Sequence, residues 1–462
     1  MATFATYTLG CKVSQYESTA LAEELIRLGL AEVDFSDEAD AYIINTCTVT
    51  AESDAKSRKY IRRALRKNPD AVVAVMGCYS QRSPGEVAAI DGVSIVAGTA
   101  DKMKLAPMIV ELLSKKASRI DSGFAKDARE KKASPTGRGG AEGDGEGTPI
   151  ITAKPLDGEG FEPMSITRPE RTRAYVKIED GCECRCTYCA IADARGPVRS
   201  KPAVDVIREV ESLYKNGTRE IVLTGIETGS YGADFSEKYD LGDLIAELDK
   251  RASCERIRLG SLAPELIGEK FISKVRDTKI LAPHFHLSMQ SGSDPVLRRM
   301  KRRYNTEMAL RHIGIIRDAF PSATFTTDLM VGFPGETEED FLATMDFVHK
   351  ARFLDCHVFA YSRREGTPAA AYPDQVLEDV KRQRSERLIV EKNKVRDSVL
   401  AEICERGEPL SCIFETVKKN IWTSHSDTFV EVRAMSECDL SGRLVMVKPV
   451  RVEDGAIYGE IL

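Results

Sequence analysis

Apolar residues recur along the first 115 positions in two alternating rhythms. Short runs at residues 4–9, 41–45, 72–76 and 93–96 have the length and composition of buried strands. Between them, residues 15–28 space Leu21, Leu25 and Leu28 at helical intervals, and residues 51–68 form a basic amphipathic stretch. That alternation predicts a parallel sheet flanked by helices. The rhythm stops over about 121–161, where SPTGRGGAEGDGEG carries almost no apolar periodicity and reads as a flexible spacer without chemistry. It resumes at Ala174. Runs at 174–179, 220–224, 256–260, 284–289, 324–331 and 356–361 read as six strands, with helical patterns between them at 204–214, 241–250, 308–320 and 338–350. Six strand–helix units predict a partial or full parallel barrel with its active residues at the carboxyl ends of the strands. A charged helix over 377–405 leads into a tail, 407–462, whose short β-like runs alternate with turn residues. The tail predicts a small antiparallel barrel or sandwich. The expected fold is therefore α/β in class: an α/β parallel-sheet domain over 1–118, a linker over 119–165, a (β/α) barrel over 166–405 and a β-barrel over 406–462.

A length of 462 residues suits two to four domains, and 42% hydrophobic with 30% charged residues describes a soluble globular chain. No apolar run approaches the roughly 20 residues needed to cross a bilayer. The opening MATFATYTLGCK lacks a basic leader and an apolar core, so a cytoplasmic location and no membrane association are expected. The net charge of −6 does not by itself advertise a nucleic-acid partner. A single Trp and 7% aromatic residues argue against an extensive base-stacking surface. Twelve cysteines change the picture, because in a reducing compartment clustered cysteines read as metal ligands or catalysts.

Cys182, Cys186 and Cys189, in DGCECRCTYC, form a CxxxCxxC run directly after a predicted strand. Three thiolates on one tight loop can ligate three irons of a 4Fe-4S cube and leave the fourth open. An open iron can bind S-adenosylmethionine (SAM), whose reductive cleavage gives a 5′-deoxyadenosyl radical. Tyr188 would then pack beside the adenine, with Cys184 a bystander. The alternative is a structural zinc site, which wants four ligands.

The loop resembles the radical SAM motif, and its surroundings resemble the methylthiotransferase family. The resemblance rests on TLGCKVSQYES, INTCTVTAESDAKSR, VMGCYSQ, ARGPVRSKP, LTGIETGSYG, RLGSLAPELI, HLSMQSGSDPVLRRMKRRYN, TDLMVGFPGETEEDF and FAYSRREGTPAA. These cover nearly the whole chain outside the linker. The tail resembles the small RNA-binding β-barrel, called TRAM, that ends such enzymes. TLGCKV followed by QYES is similar to the branch acting on threonylcarbamoyladenosine in tRNA, although Ser14 stands where that branch usually has asparagine.

The resemblance implies a second 4Fe-4S cluster on Cys11, Cys47 and Cys78. The sequence supports it separately: each residue ends a predicted strand (YTLGC, IINTC, AVMGC), and strand ends of a parallel sheet share one edge. Cys254, Cys356, Cys404, Cys412 and Cys438 have no partner spacing and read as structural. The implied reaction replaces the hydrogen on carbon 2 of the adenine at tRNA position 37 with a methylthio group. One SAM methylates a sulfur at the second cluster, and another supplies the radical. Isopentenyladenosine in tRNA and a ribosomal-protein aspartate are the alternative substrates. A non-catalytic zinc-containing RNA-binding protein is the alternative of a different class. The implied partners are the tRNA anticodon loop and an electron donor such as flavodoxin or ferredoxin; the sulfur donor stays open.

Further positions gather at the expected barrel rim. Gly225, Ser261, Gln290, Val331 and Phe333, with Tyr188, are expected SAM contacts, and Glu227 lies among them without an evident role. Arg195 and Arg199 could meet a SAM carboxylate, an RNA phosphate or a surface carboxylate. His284 and His286, on one strand face without a carboxylate partner in view, read as barrel lining. Lys59, Arg62, Arg63 and Arg66 share a helix face, and Arg298, Arg299, Lys301, Arg302 and Arg303 form a second basic cluster. Both suit RNA phosphates.

Overall fold

Buried on both faces, a parallel strand needs no polar alternation, and the first sheet shows it. Strands β1 (Thr3–Thr8), β2 (Ala31–Glu32), β3 (Ala41–Thr46), β4 (Val72–Gly77), β5 (Val93–Val96) and β6 (Ile150–Ile151) pair in the order β2-β1-β3-β4-β5-β6, every pairing parallel. Every residue of β3 and β4 is buried, which explains their unbroken apolar runs. On one face pack Leu21 and Leu25 of α1 (Lys12–Arg27) with Leu105 and Ile109 of α3 (Leu105–Asp121). Ile61 and Ala64 of α2 (Ala51–Lys67) cover the other. The structure, a computed structural model, describes residues 1–121, 148–168, 172–251 and 253–462. Most of the expected spacer, 122–147, lies outside these residues. Its later part contributes β6, a two-residue strand too short to leave a periodic signal.

The chain forms two compact units, residues 1–158 with 193–195, and residues 159–192 with 196–462. In the second unit, β7 (Arg173–Lys177), β10 (Glu220–Thr224) and β11 (Arg256–Leu259) make a parallel sheet, and β12 (Ser261–Leu262), β13 (His284–Gln290), β14 (Thr324–Val331) and β15 (Asp355–Ala360) make another. Gly260 separates β11 from β12, so a single expected strand serves both sheets. The six strand positions form the expected partial barrel. A 29-residue helix, Glu378–Arg406, follows as expected.

The tail closes into a five-stranded barrel, β16 (Leu410–Lys418), β17 (Ile421–Ser426), β18 (Glu431–Met435), β20 (Ala456–Ile461) and β19 (Leu444–Glu453) in that order. It is not wholly antiparallel, because β18 pairs with β20 in parallel. The intervening strand β19 returns the chain to the far edge before β20 closes the ring. The amino ends of the larger barrel's strands meet this small barrel through buried charge. Glu220 accepts from Arg258 Nε at 3.0 Å and Arg256 Nη1 at 3.1 Å, with Arg173 at 3.5 Å. Burial opposes ionisation of Glu220, yet the three guanidinium groups bring its carboxyl down to about 2. Arg258 also donates to the carbonyls of Ser426 and Asp427, and the Phe429 ring stacks on His284 with centroids 4.4 Å apart. Among the described residues no helix is long and apolar enough to cross a membrane.

Candidate functional site

The three-cysteine loop is bracketed by a short antiparallel ladder of β8 (Glu179–Asp180) and β9 (Arg199–Ser200). At Gly181 the chain turns with φ +94°, and a Cβ there would lie 1.9 Å from the Pro197 carbonyl oxygen. Only glycine can begin this loop. The Cys182 amide donates to Gly196 O at 3.0 Å, and Cys189 N–H donates to Cys186 O at 3.0 Å. The sulfurs themselves receive donors. Ile191 N–H lies 3.4 Å from Cys189 Sγ, and Arg302 Nη1 lies 3.1 Å from the buried Cys186 Sγ. Hydrogen bonds to ligand sulfurs tune the potential of a bound cluster. Cys182 and Cys184 share a hydrogen bond, and Arg302 and Arg303 draw Cys184 toward its thiolate. Among the described residues no three His, Cys, Asp or Glu side chains converge on a single metal ion. A four-iron cube needs its ligands spread around a wider body than one ion does.

Beside this loop the rim of the barrel is crowded and polar. A Cβ on Gly225 would lie 2.4 Å from Glu179 Oε2, the oxygen that accepts the Glu227 amide at 2.9 Å. The Glu227 carboxylate accepts in turn from Ala263 N–H at 3.0 Å. Burial pushes the Glu179 carboxyl well above its usual range and Glu227 up to about 8. Glu179 Oε1, Arg199 Nη1 and Thr228 Oγ1 are buried without a hydrogen-bond partner. Orphaned groups of both signs are what an amino-acid zwitterion, such as the methionine end of SAM, would satisfy.

The other rim positions divide. Gln290 ends β13 at φ +64° beside a register shift, a strained conformation of the kind found at ligand sites. Ser261 is half-buried at the start of β12. Val331 and Phe333 are fully buried, and their carbonyls accept from Tyr361 and Glu336 amides. The Phe333 ring meets half-buried Tyr188 edge-on at 6.4 Å, backing that residue.

In the first unit, Cys11 caps α1, Cys47 follows β3, and Cys78 opens a short helix, Cys78–Arg82, after β4. At Gly77 (φ +106°) a Cβ would meet Asn45 Oδ1 and Thr46 O at 2.5 Å each, so the turn into Cys78 also demands glycine. A Cβ on Gly10 would lie 3.5 Å from Cys47 Cβ, so Cys47 stands beside the turn into Cys11. Ser14 Oγ lies 3.9 Å from Cys11 Sγ. The carboxyl edge of the sheet therefore gathers the three cysteines as the strand ends predicted.

Residues 176–348 match the Radical SAM superfamily, and residues 3–98 match an uncharacterized protein family, UPF0004. Along its whole length the chain is 38% identical to 96% of the threonylcarbamoyladenosine tRNA methylthiotransferase MtaB of Bacillus subtilis. The chain belongs to the radical SAM methylthiotransferases. A second relative in that family is the tRNA-2-methylthio-N(6)-dimethylallyladenosine synthase of Acetivibrio thermocellus, 31% identical over 98% of this chain and 90% of the relative. The radical SAM methyltransferase TsrM of Kitasatospora setae shares the fold, with a TM-score of 0.53 at 17% identity over 80% of this chain and 75% of TsrM.

Membership in a radical SAM family implies SAM and a 4Fe-4S cluster, and the loop and rim of this methylthiotransferase fit both. Several expectations need correction. Arg195 meets Glu17 inside the first unit, with Nη1 2.5 Å from Oε1, and Arg199 meets Asp180 at 3.4 Å. Neither is a free phosphate binder. Arg302 and Arg299 leave the expected basic cluster and turn inward, Arg302 to Cys186 and Arg299 to Asp340 at 3.1 Å. By contrast, Lys59, Arg62, Arg63 and Arg66 are exposed along α2 as their spacing predicts. His286 does have a carboxylate partner, Asp328 at 3.2 Å, which His357 approaches at 3.4 Å. That partner sits on a later strand, where sequence spacing gives no hint of it.

The raised carboxyl of Glu227 makes a pH prediction. Its neutral form is favoured in the fold, so its stabilising contribution is complete below the usual value of 4.5 and is lost as pH rises through about 8. Glu227→Gln removes this contribution and leaves those of the other buried carboxyls in place. The parent's stability relative to the variant should therefore shrink by a few kcal/mol between about pH 5 and pH 9. Thermal unfolding under oxygen-free conditions measures the difference, and parallel curves would refute the assignment.

Proposed function

We propose that this methylthiotransferase adds a methylthio group to carbon 2 of threonylcarbamoyladenosine at position 37 of tRNA, using two 4Fe-4S clusters. The observation carrying this reading is the end-to-end match to MtaB at 38% identity, against 31% for the dimethylallyladenosine synthase. The barrel interior supports the same choice. His286, Ser288 and Gln290 are half-buried on one face of β13, alternating with the buried Phe285, Leu287 and Met289. With Asp328 and His357 they form a polar wall. A threonylcarbamoyl group carries a carboxylate, a hydroxyl and a urea that can hydrogen-bond to such a wall; a dimethylallyl group carries nothing polar.

A four-iron cluster with an open iron, bound to SAM, supplies the radical needed to remove hydrogen from an unactivated carbon. Cys182, Cys186 and Cys189 hold that cluster, and Arg302 fixes Cys186. Glu179, Arg199 and Thr228 orient the methionine end of SAM, while Tyr188, backed by Phe333, flanks its adenine. Gly225 leaves room for Glu179, and Ser261, Gln290 and Val331 complete the rim. Cys11, Cys47 and Cys78 would hold the second cluster, which would supply the sulfur for transfer. Exposed cations of α2 and the C-terminal barrel engage the anticodon loop, whose splayed bases are the usual target of sequence-specific RNA recognition. Flavodoxin or ferredoxin supplies electrons, and the enzyme works in the cytoplasm.

Mass analysis of tRNA nucleosides from a strain lacking this chain tests the substrate. The expected result is threonylcarbamoyladenosine without its methylthio group, restored by the intact gene. Loss from dimethylallyladenosine instead would overturn the assignment in favour of the second relative's substrate.

A further inference from the structure

Just past the helix Asp294–Arg299 the backbone itself fixes where one arginine begins. Lys301 N–H donates to Arg298 O at 3.0 Å and Arg302 N–H donates to Leu297 O at 2.9 Å, the paired bonds of a Schellman ending. Lys301 takes the left-handed position at φ +62°, where helices usually place glycine. Arg302 leaves this turn inward, and each of its three nitrogens meets an acceptor. Nε donates to Tyr304 Oη at 2.9 Å, Nη2 to Ser288 O at 3.0 Å and Nη1 to Cys186 Sγ at 3.1 Å. Tyr304 is buried in turn, its hydroxyl 2.7 Å from both Ser288 O and Met289 O. The sulfur's side of the contact is tied to the same turn. Thr187, next to Cys186, donates its N–H to Met300 O at 3.1 Å and its hydroxyl to Arg299 O at 2.9 Å. The donors at the other two thiols of the loop differ in kind. Cys182 Sγ lies 3.5 Å from Cys184 N–H, and Cys189 Sγ lies 3.4 Å from Ile191 N–H. Backbone amides are open to any sequence, whereas a guanidinium, charged at every physiological pH, belongs to this one.

We propose that Arg302 is a positioning residue that raises the reduction potential of a cluster held by Cys182, Cys186 and Cys189, bringing it within reach of a one-electron donor protein. The inference rests on the SAM-cleaving cluster of the reading above and deepens it. In the step concerned, one electron leaves the reduced donor, which is oxidised, and enters the cluster; no bond breaks. The cluster–thiolate unit gains one negative charge. A cation and an N–H at a ligand sulfur stabilise that reduced form more than the oxidised form. Burial strengthens the effect, because little water screens the guanidinium from the sulfur.

The test uses the full chain with Cys11, Cys47 and Cys78 replaced by alanine, reconstituted with iron and sulfide without oxygen, so that about four irons per chain report one cluster. Its potential is read by spectroscopically monitored redox titration without SAM. Arg302→Gln removes the charge and should shift the oxidised-to-reduced ratio at fixed potential about tenfold toward oxidised, or roughly 59 mV downward for a one-electron couple. Arg302→Lys keeps the charge but not the fork, and should fall between the parent and Arg302→Gln. An arginine that only held the loop in place would leave the potential of a fully loaded cluster where it was. Unchanged potentials at full iron content, or an upward shift in Arg302→Gln, overturn the proposal. If Arg302→Gln takes up no iron, Arg302→Lys decides: a downward shift supports the proposal and an unchanged potential overturns it. Failure of both variants to take up iron also overturns it, since Arg302 then holds the cluster rather than tunes it. If the parent itself takes up no iron, the cluster reading fails and this inference with it, an outcome that iron content alone distinguishes.

Discussion

Replacing Cys186 with alanine is expected to abolish SAM cleavage altogether. The Cys186 sulfur is buried and fixed by Arg302 Nη1 at 3.1 Å, with Arg302 itself held by Ser288 O at 3.0 Å. Three thiolates are the minimum that anchors a cube while leaving one iron open, so two cannot substitute for three. Cys184 is the sole nearby spare thiol in the loop. It precedes Arg185, a non-glycine residue already held at φ +43°, so it cannot swing freely into the vacated place. Iron content should fall from about eight to about four per chain, the content of one remaining four-iron cluster. 5′-Deoxyadenosine should become undetectable after dithionite reduction with SAM. Persistent cleavage in a variant with four irons would place the radical chemistry at the other trio and sink the assignment.

Replacing Cys47 with alanine should separate the two halves of the reaction. Cys47 belongs to the first unit and Cys182, Cys186 and Cys189 to the second, and each trio stands on its own sheet. The variant should again keep about four irons. It should still produce 5′-deoxyadenosine but form no methylthiolated nucleoside on a tRNA substrate. Liquid chromatography of both products from one incubation gives the comparison. Methylthiolated product from this variant would refute sulfur delivery at the first unit.

Much of this arrangement can be read from periodicity, because long buried strands and amphipathic helices leave repeating signals. Strands β1, β3, β4, β5, β10 and β14 lie within a residue or two of their expected limits. The two-residue strands β2, β6, β8, β9 and β12 leave no such signal. One of them, β8, carries Glu179, a rim carboxyl that no motif singles out. The placement of Cys11, Cys47, Cys78 and the Cys182 loop after strands is legible because those strands leave apolar runs, and Gly77 and Gly181 mark the turns into Cys78 and Cys182. What sequence conceals is pairing at long range. Arg195 meets Glu17 across 178 positions and Arg302 meets Cys186 across 116. Both arginines look like phosphate binders until their partners are seen. His286, Asp328 and His357 likewise sit on three separate strands and meet only through sheet register.

The ring of Phe429 on His284 and the carbonyls capping Arg258 give the small terminal barrel a second duty. In a chain ending at Arg406, water would enter beneath the larger barrel, and Arg256 and Arg258 would lose the Ser411, Ser426 and Asp427 oxygens that help cancel their charge. The terminal barrel is in that sense the cork of the enzyme. It cannot be exchanged for another small barrel unless the replacement brings its own aromatic stopper and carbonyl cap.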